Sequence, residues 1–325
     1  MAKRSSKPVT TAGPPGSTPE SERPFHMGRL VLQEPGELCT NTESVPEHLL
    51  LRPEDDSELQ SVLAWFGDRP VGPLYTEAIR NAIDYVLDGG RTSRFDLQSP
   101  AVHPGERASV GAKLEYEVLR IFNLPKARPL DTLIAGSPVD IKATVGSNWA
   151  IPTEAHCQLC ICTQIQLKHN RHRSWLVRTH RSWLYRGKGN NDGKRGLAVE
   201  AREKWSVPLY DWQDLPVNPL RYLTEAQASQ VLAEKPGQVK RLVMMFRFLE
   251  GVIIPRNVIL TVGAGKGDPM RRARQARDAA AKEGLTLLCG DWVDSRDKAA
   301  ARNITLRDGE WIAVRDDPQK PADSQ

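Results

Sequence analysis

The chain is short of several things. No apolar run is long enough to cross a bilayer. The start, MAKRSSKP, is basic but has no apolar core behind it, so a secretory signal is not expected. There are five cysteines in 325 residues, an odd and small number. That excludes a disulfide scaffold and fits a reducing, cytoplasmic compartment. The net charge is only +5, so a nucleic-acid or membrane partner cannot be read from total charge; its distribution has to carry that argument. A phosphate-binding P-loop is also missing. In the run Gly263-Ala-Gly-Lys-Gly267, Leu260 stands where the first glycine is needed and Gly267 replaces the Ser or Thr, so the segment reads as a loop.

What is present is an ordinary soluble composition, 39% apolar and 26% charged, long enough for two domains. Residues 1–48 are rich in Pro, Ser, Thr, Gly and Glu and read as a largely disordered extension, with Met27–Leu32 a short apolar patch that can dock. Helical spacing follows over 54–66, 74–88 and 106–122. The second helix stops at Gly89-Gly90. Strand-like stretches come at 149–151, 156–166 and 175–178. Two prolines in Asp214-Leu-Pro-Val-Asn-Pro219 mark a linker. Beyond it, Thr224-Glu-Ala-Gln227 has the form of a capping box. Helices are expected to about 233, over 237–251 and over 269–282; 258–262, 285–289 and 310–315 read as strands. A βαβ unit over 258–289 is also compatible. The expected organisation is 1–48 extension, 49–208 first domain, 209–217 linker, 218–315 second domain and 316–325 disordered tail. The fold class is α/β, helices flanking a mixed sheet.

The chemistry lies at 115–142. In Val139-Asp140-Ile141-Lys142 the strand period puts Asp140 and Lys142 on one face, Val139 and Ile141 on the other. The preceding Ala-Gly-Ser-Pro turn (135–138) lets Asp131 fold back onto Asp140. Two carboxylates at one spot repel unless a cation sits with them, and an all-oxygen ligand set favours Mg²⁺. Glu115 lies on the apolar stripe of its helix with Leu114, Val118, Leu119 and Phe122, where an unpaired charge is costly. An ordinary surface hairpin, with Glu115 reaching solvent or a nearby arginine, is the competing reading.

Basic residues cluster as well. Between Lys168 and Arg195 there are nine Lys or Arg and one acid, Asp192, interleaved with Trp175, Trp183 and Tyr185. Trp175 and Trp183 are expected in the core, and some of the arginines (Arg178 and Arg181 among them) on DNA phosphates. On the helix at 269–282, Arg271 and Arg274 are the better candidates for DNA, because not every arginine there shares a face. His156-Cys157-x-x-Cys160-x-Cys162 invites a zinc reading, but no partner pair follows at finger spacing, and the stretch is expected to pack as a buried strand.

These segments together resemble the NaeI-type restriction endonucleases of the PD-(D/E)xK superfamily. The resemblance rests on Asp88-Gly-Gly-Arg-Thr-Ser-Arg94, Gly111-x-x-Leu-Glu115, Ile134-Ala-Gly-x-x-Val-Asp-x-Lys142, Trp149-x-x-Pro-x-Glu154 and Ile254-x-Arg-x-Val-Ile-x-Thr-Val262. It spans roughly residues 50–315. It implies a mixed-sheet nuclease core with a C-terminal winged-helix-like DNA-binding domain, and a homodimer cutting double-stranded DNA to 5′-phosphate and 3′-hydroxyl ends. Glu115, Asp131, Asp140 and Lys142 would be catalytic. Asp131, Asp140, Glu115 and the Ile141 carbonyl would hold Mg²⁺, and Arg91, Thr92 and Arg94 would join the DNA contacts. The C-terminal domain would bind a second, effector DNA, and a cognate methyltransferase would be the functional partner. A structure-specific repair nuclease and a non-catalytic DNA-binding regulator are the alternative functions.

Overall fold

The structure is a computed structural model that describes residues 32–39, 45–186, 189–190, 192–265 and 267–315. Its first unit is built, among the described residues, by five α-helices and a mixed sheet. Helix α1 is Ser57–Phe66, α2 Val71–Leu87, α3 Gly89–Thr92 and α4 Pro104–Ile121. Asp56 caps α1 by accepting from the Leu59 amide. In α2, Tyr75, Ala78, Ile79, Ala82 and Val86 recur at helical spacing and are all buried. Asp88, left-handed at φ 46°, ends that helix, and Gly89-Gly90 opens the short α3 where a plain stop was expected. Pro104 and a His103/Glu106 capping box start α4. Its Val110, Leu114 and Val118 enter the core.

The strands are β1 Thr132–Ile134, β2 Ser137–Thr144, β3 Ala150–Ile151, β4 Leu159–Gln166, β5 Arg171–Arg178, β6 Arg195–Gly196 and β7 Val207–Asp214, with α5 at Val199–Trp205. Among the described residues the main sheet runs β1-β2-β4-β5-β7. Only β2 and β4 pair in parallel; the other neighbours are antiparallel. The β1–β2 reversal needs just Ala135 and Gly136, both at positive φ (50° and 83°), and Ser137 and Pro138 already belong to β2. One sheet face, with Val139, Ile141, Leu159, Ile161 and Leu176, packs on α1, α2 and α4. The other face is covered near Cys160 and Cys162 by Trp149, Trp183, Leu184 and Trp205.

Two expectations change here. Residues 209–214 are not linker: they continue β7, the last strand of the sheet, because their backbone pairs with β5. Of the expected N-terminal extension, 1–31 and 40–44 lie outside the described residues, as does the 316–325 tail and all of the Met27–Leu32 patch except Leu32. Yet 32–39 and 45–48 pack on the first unit, with Cys39 fully buried.

The second unit has its own core around Leu242, Phe246, Val258, Ile259 and Trp311. It contains α6 Glu225–Leu232, α7 Gln238–Phe248, α8 Arg256–Val262, α9 Pro269–Ala281, β8 Leu285–Cys289, α10 Val293–Ala300 and β9 Trp311–Arg315. The Thr224/Gln227 capping box opens α6. Residues 258–262 form a helix and not a strand, which also removes the βαβ alternative. Their β-branched content suggested a strand, but Val258, Ile259 and Val262 share one buried helical face, and packing overrides propensity. Strands β8 and β9 pair antiparallel with α10 between them. The two units touch where Asn257 Nδ2 donates to Asp84 Oδ2 at 2.7 Å and where α3 meets α8. A Cβ on Gly89 would fall 2.2 Å from Thr261 Oγ1 and 2.8 Å from the Arg94 carbonyl.

Candidate active site

The edge of β2 makes the site. Strand β1 pairs with β2 only as far as Thr132 opposite Val139. Two residues beyond, the backbone of Ile141 has lost its strand partner on that side. The Asp131 carboxylate takes its place: Oδ2 accepts the Ile141 N–H at 2.8 Å. In a strand the N–H and C=O of one residue point the same way, so the Ile141 carbonyl faces the same edge. Lys142 Nζ lies 3.4 Å from it.

Asp140 and Lys142 share a face, as the strand period requires. Their side chains pair at 2.7 Å, and Lys142 Nζ is 3.7 Å from Asp131 Oδ2. Glu115 comes from α4, which approaches β2 at Gly111, where a Cβ would lie 3.3 Å from the Ala143 carbonyl. Glu115 does not reach solvent freely. It is bound to Lys126, whose amine also donates to Asp131 Oδ1 at 2.9 Å. Thus all four sequence-predicted residues converge, Glu115 through a lysine bridge.

Lys126 is the residue that sequence reasoning missed. It stands in the loop between α4 and β1, and the signal was weak: one lysine five positions before an acid. Its side chain is about half exposed.

Electrostatics separate the two aspartates. Burial works against the charge on Asp131, but the donors from Lys126 and the Ile141 amide, with Lys142 nearby, hold its pKa below the usual value. Asp140 is more deeply buried. Desolvation, with the repulsion of Asp131 added, outweighs Lys142 and pushes it up to about 6. Desolvation disfavours the Lys142 cation, but Asp140 foremost keeps its pKa above the ordinary lysine value. A charged amine and two unlike carboxylates therefore share one spot.

The same sheet face extends into a basic, aromatic rim. Cross-strand pairing aligns Lys142 with Cys162 of β4, and Cys162 with Trp175 of β5. Arg173 lies over both Trp175 and Trp212, at 4.3 and 4.1 Å, and Arg171 over Trp212 at 4.0 Å. Trp183 is in the core as expected; Trp175 is only half-buried and carries an arginine.

The other predicted DNA contacts divide. Arg271 and Arg274 are exposed on α9, opposite the buried Ala273, Ala276 and Ala280. Arg91 is exposed and pairs with Asp88; Thr92 bonds back to the Leu87 carbonyl at 2.6 Å. Arg94 is mostly buried, bonded to Glu106 and to the carbonyls of Val86 and Leu87. Arg178 and Arg181 belong to the interior and not to a DNA-facing surface. Arg178 spends its guanidinium on Asp56 at 2.6 Å and Glu58 at 2.7 Å, and Arg181 is 8% exposed. Position in a basic run could not reveal this, because the ion-pair partner lies 122 residues earlier.

A mixed sheet with an acid and a lysine on one strand, Asp140 and Lys142 of β2, and a second acid just before its neighbour β1 defines a class of site suited to cation-assisted phosphoryl chemistry. Residues 64–325 match the family model of "Restriction endonuclease NaeI", and the chain belongs to that family, endonucleases that act on double-stranded DNA. No match was found among curated proteins. No described helix is long and apolar enough to cross a membrane.

Proposed function

We propose that the chain is a type II restriction endonuclease whose PD-(D/E)xK-type centre is Asp131, Asp140 and Lys142, with Glu115 beside them. The observation that carries this reading is the convergence of those groups at the unpaired edge of β2. The donor set fits Mg²⁺: two buried carboxylates and a backbone carbonyl, all oxygen, while burial keeps the one thiol beside them, Cys160 at 3.9 Å from Asp140 Oδ2, protonated and a poor ligand. Asp131, Asp140 and the Ile141 carbonyl would hold the ion, with Glu115 next to it; bound there, it would lower the pKa of a water and neutralise phosphate charge.

The chain's own groups do the rest. Asp131 is fixed by the Ile141 amide and stays ionised. Asp140 is deprotonated above about pH 6. Lys142 stays a cation and is placed to offset charge developing on the scissile phosphate and to orient the attacking water. Lys126 offsets part of the charge of Glu115 and Asp131, and its half-exposed side chain can withdraw to solvent. In-line attack by water gives 5′-phosphate and 3′-hydroxyl ends.

Arg171 and Arg173, stacked on tryptophans beside the centre, are suited to tracking phosphates. In the second unit, α9 with Arg271 and Arg274 beside the β8–β9 ribbon supports a winged-helix-like DNA-binding role, here for an effector copy of the site. Arg91 serves the same purpose at the junction of the units. Cutting both strands of a palindrome calls for a homodimer, and restriction calls for a cognate methyltransferase in the same cytoplasm.

Digestion of a long unmodified duplex with Mg²⁺ tests the reading. Discrete fragments are expected from the wild type. Asp140→Asn and Lys142→Ala are expected to lose cleavage while retaining DNA binding; cleavage by either variant would overturn the assignment.

A further inference from the structure

Outside the acidic centre, two cysteines and two histidines meet at one buried point. The ligand atoms of Cys39, His48, Cys157 and His180 all lie within 4.8 Å of one another. We propose that these four side chains form a structural Zn²⁺ site that fastens the N-terminal segments 32–39 and 45–51 to the nuclease sheet.

Topology explains how they meet. Leu38 and Leu49 bridge antiparallel, and the next pair in that register is Cys39 and His48; the Cys39 amide donates to the His48 carbonyl at 2.9 Å. Strands β4 and β5 pair Leu159 with Arg178; beyond them Thr179 donates to the Gln158 carbonyl and accepts from the Cys157 amide, a bulge that leaves Cys157 and His180 side by side just past the last pair. The first pairing offers a Cys opposite a His, the second presents a Cys and a His at its bulged end, and the two sets meet.

The distances suit a tetrahedral ion. Zn–S bonds of about 2.3 Å place two sulfurs about 3.8 Å apart in a regular tetrahedron. Cys39 Sγ and Cys157 Sγ are 3.8 Å apart. His48 Nε2 and His180 Nδ1 are 3.0 Å apart, a little inside the separation of about 3.3 Å for nitrogens at 2.0–2.1 Å from zinc.

The surroundings orient the donors as zinc ligands are oriented. His48 Nδ1 lies 2.9 Å from the Pro46 carbonyl, so it carries the proton and Nε2 presents its lone pair inward. The Arg181 amide donates to Cys157 Sγ at 3.3 Å, a contact that a thiolate accepts, and Ser182 Oγ, which donates to Gln33 Oε1, lies 3.2 Å from Cys39 Sγ. His180 is 1% exposed, and its Nε2 has no hydrogen-bond partner. Cys157 holds a left-handed backbone at φ 63°, a costly conformation for a non-glycine residue and one that persists where surroundings impose it.

Charge balances on binding. Two thiols lose their protons to solvent, two thiolates and two neutral imidazoles bind one Zn²⁺, and the buried site is neutral. Cys160 and Cys162 take no part. Their sulfurs are 3.6 Å apart on β4, packed in the core as expected. The site therefore lies across the Cys157-x-x-Cys160 motif and not within it.

The test uses the full chain, purified without a polyhistidine tag, dialysed, and assayed for bound metal. One zinc per chain is expected. Asp140→Asn and Cys289→Ala should keep it, because neither residue belongs to the cluster. His48→Ala and Cys39→Ser should hold less than a tenth as much. His48 is only half-buried, so His48→Ala is the variant expected to fold. Replacing zinc by Co²⁺ should give the visible absorption of a tetrahedral site with sulfur ligands, absent in His48→Ala. Wild-type protein with neither stoichiometric zinc nor that spectrum overturns the proposal. So does unchanged zinc in His48→Ala. A Cys39–Cys157 disulfide under reducing, zinc-replete conditions, seen as two of five thiols missing in denaturant, overturns it too.

Discussion

Lys126 Nζ donates to Asp131 Oδ1 at 2.9 Å while the same amine binds Glu115, so one half-exposed lysine spans the helix and the hairpin that build the acidic centre. Hydrogen bonds to both acids hold its pKa above the usual lysine value against the effect of burial. An amine in that position competes with any cation for the same oxygens. Lys126→Gln is therefore expected to lower the Mg²⁺ concentration that half-saturates cleavage, by about three- to tenfold if the bridge is worth the ~1 kcal/mol typical of exposed pairs. A Mg²⁺ titration of cleavage rate checks this. An unchanged or higher requirement would show that Lys126 does not compete.

His172 supplies a pH signature independent of the acids. It is fully buried between Thr76 and Tyr210, at 2.8 and 2.9 Å, and desolvation lowers its pKa to about 4. The unfolded chain, with a histidine pKa near 6.5, binds this proton first. Stability from this group is thus complete above about pH 6.5 and is lost as pH falls towards 4, up to about 3 kcal/mol in all. Denaturant unfolding of wild type and His172→Gln across pH 4–7 measures it. The variant should be less stable at pH 7 but flatter over that window; identical slopes would place the proton elsewhere.

Gly89 packs closely against the second unit. Gly89→Ala drives a methyl into Thr261 and the Arg94 carbonyl, a clash worth about 1–3 kcal/mol. Adding Thr261→Ala removes the side-chain half of the clash and should recover part of the lost melting temperature. No recovery in the double variant would mean the backbone contact with Arg94 alone sets the cost.

Arg178 and Arg271 should part company in one pair of experiments. Arg178→Ala strips the partner from buried Asp56 and is expected to cost about 3–5 kcal/mol of stability. Arg271→Ala should leave the melting temperature alone and reduce the log–log salt slope of DNA binding by about one unit. The opposite pattern would return Arg178 to the DNA surface.

The legible part of the fold was periodic. The buried stripes of α2 and α4, the Ala135-Gly136 turn and the Thr224 capping box are all local patterns read within about four residues. So was the sharing of one strand face by Asp140 and Lys142. The failures were also local in cause: 258–262 looked extended because β-branched residues suit strands, and 209–214 looked like linker because prolines follow it. In each case a distant surface, the C-terminal core or the β5 edge, decided the outcome.

By itself the amino-acid order determined the acids and the lysine of the centre and their placement on a helix and a hairpin, because those relationships need only helical and strand periods. Tertiary structure alone decided that Lys126 bridges Glu115 to Asp131, that Arg178 is interior, and that Cys39 and His48 meet Cys157 and His180. These are contacts between segments whose separation along the chain carries no period, so only the packing of the whole sheet and its flanking segments could bring them together.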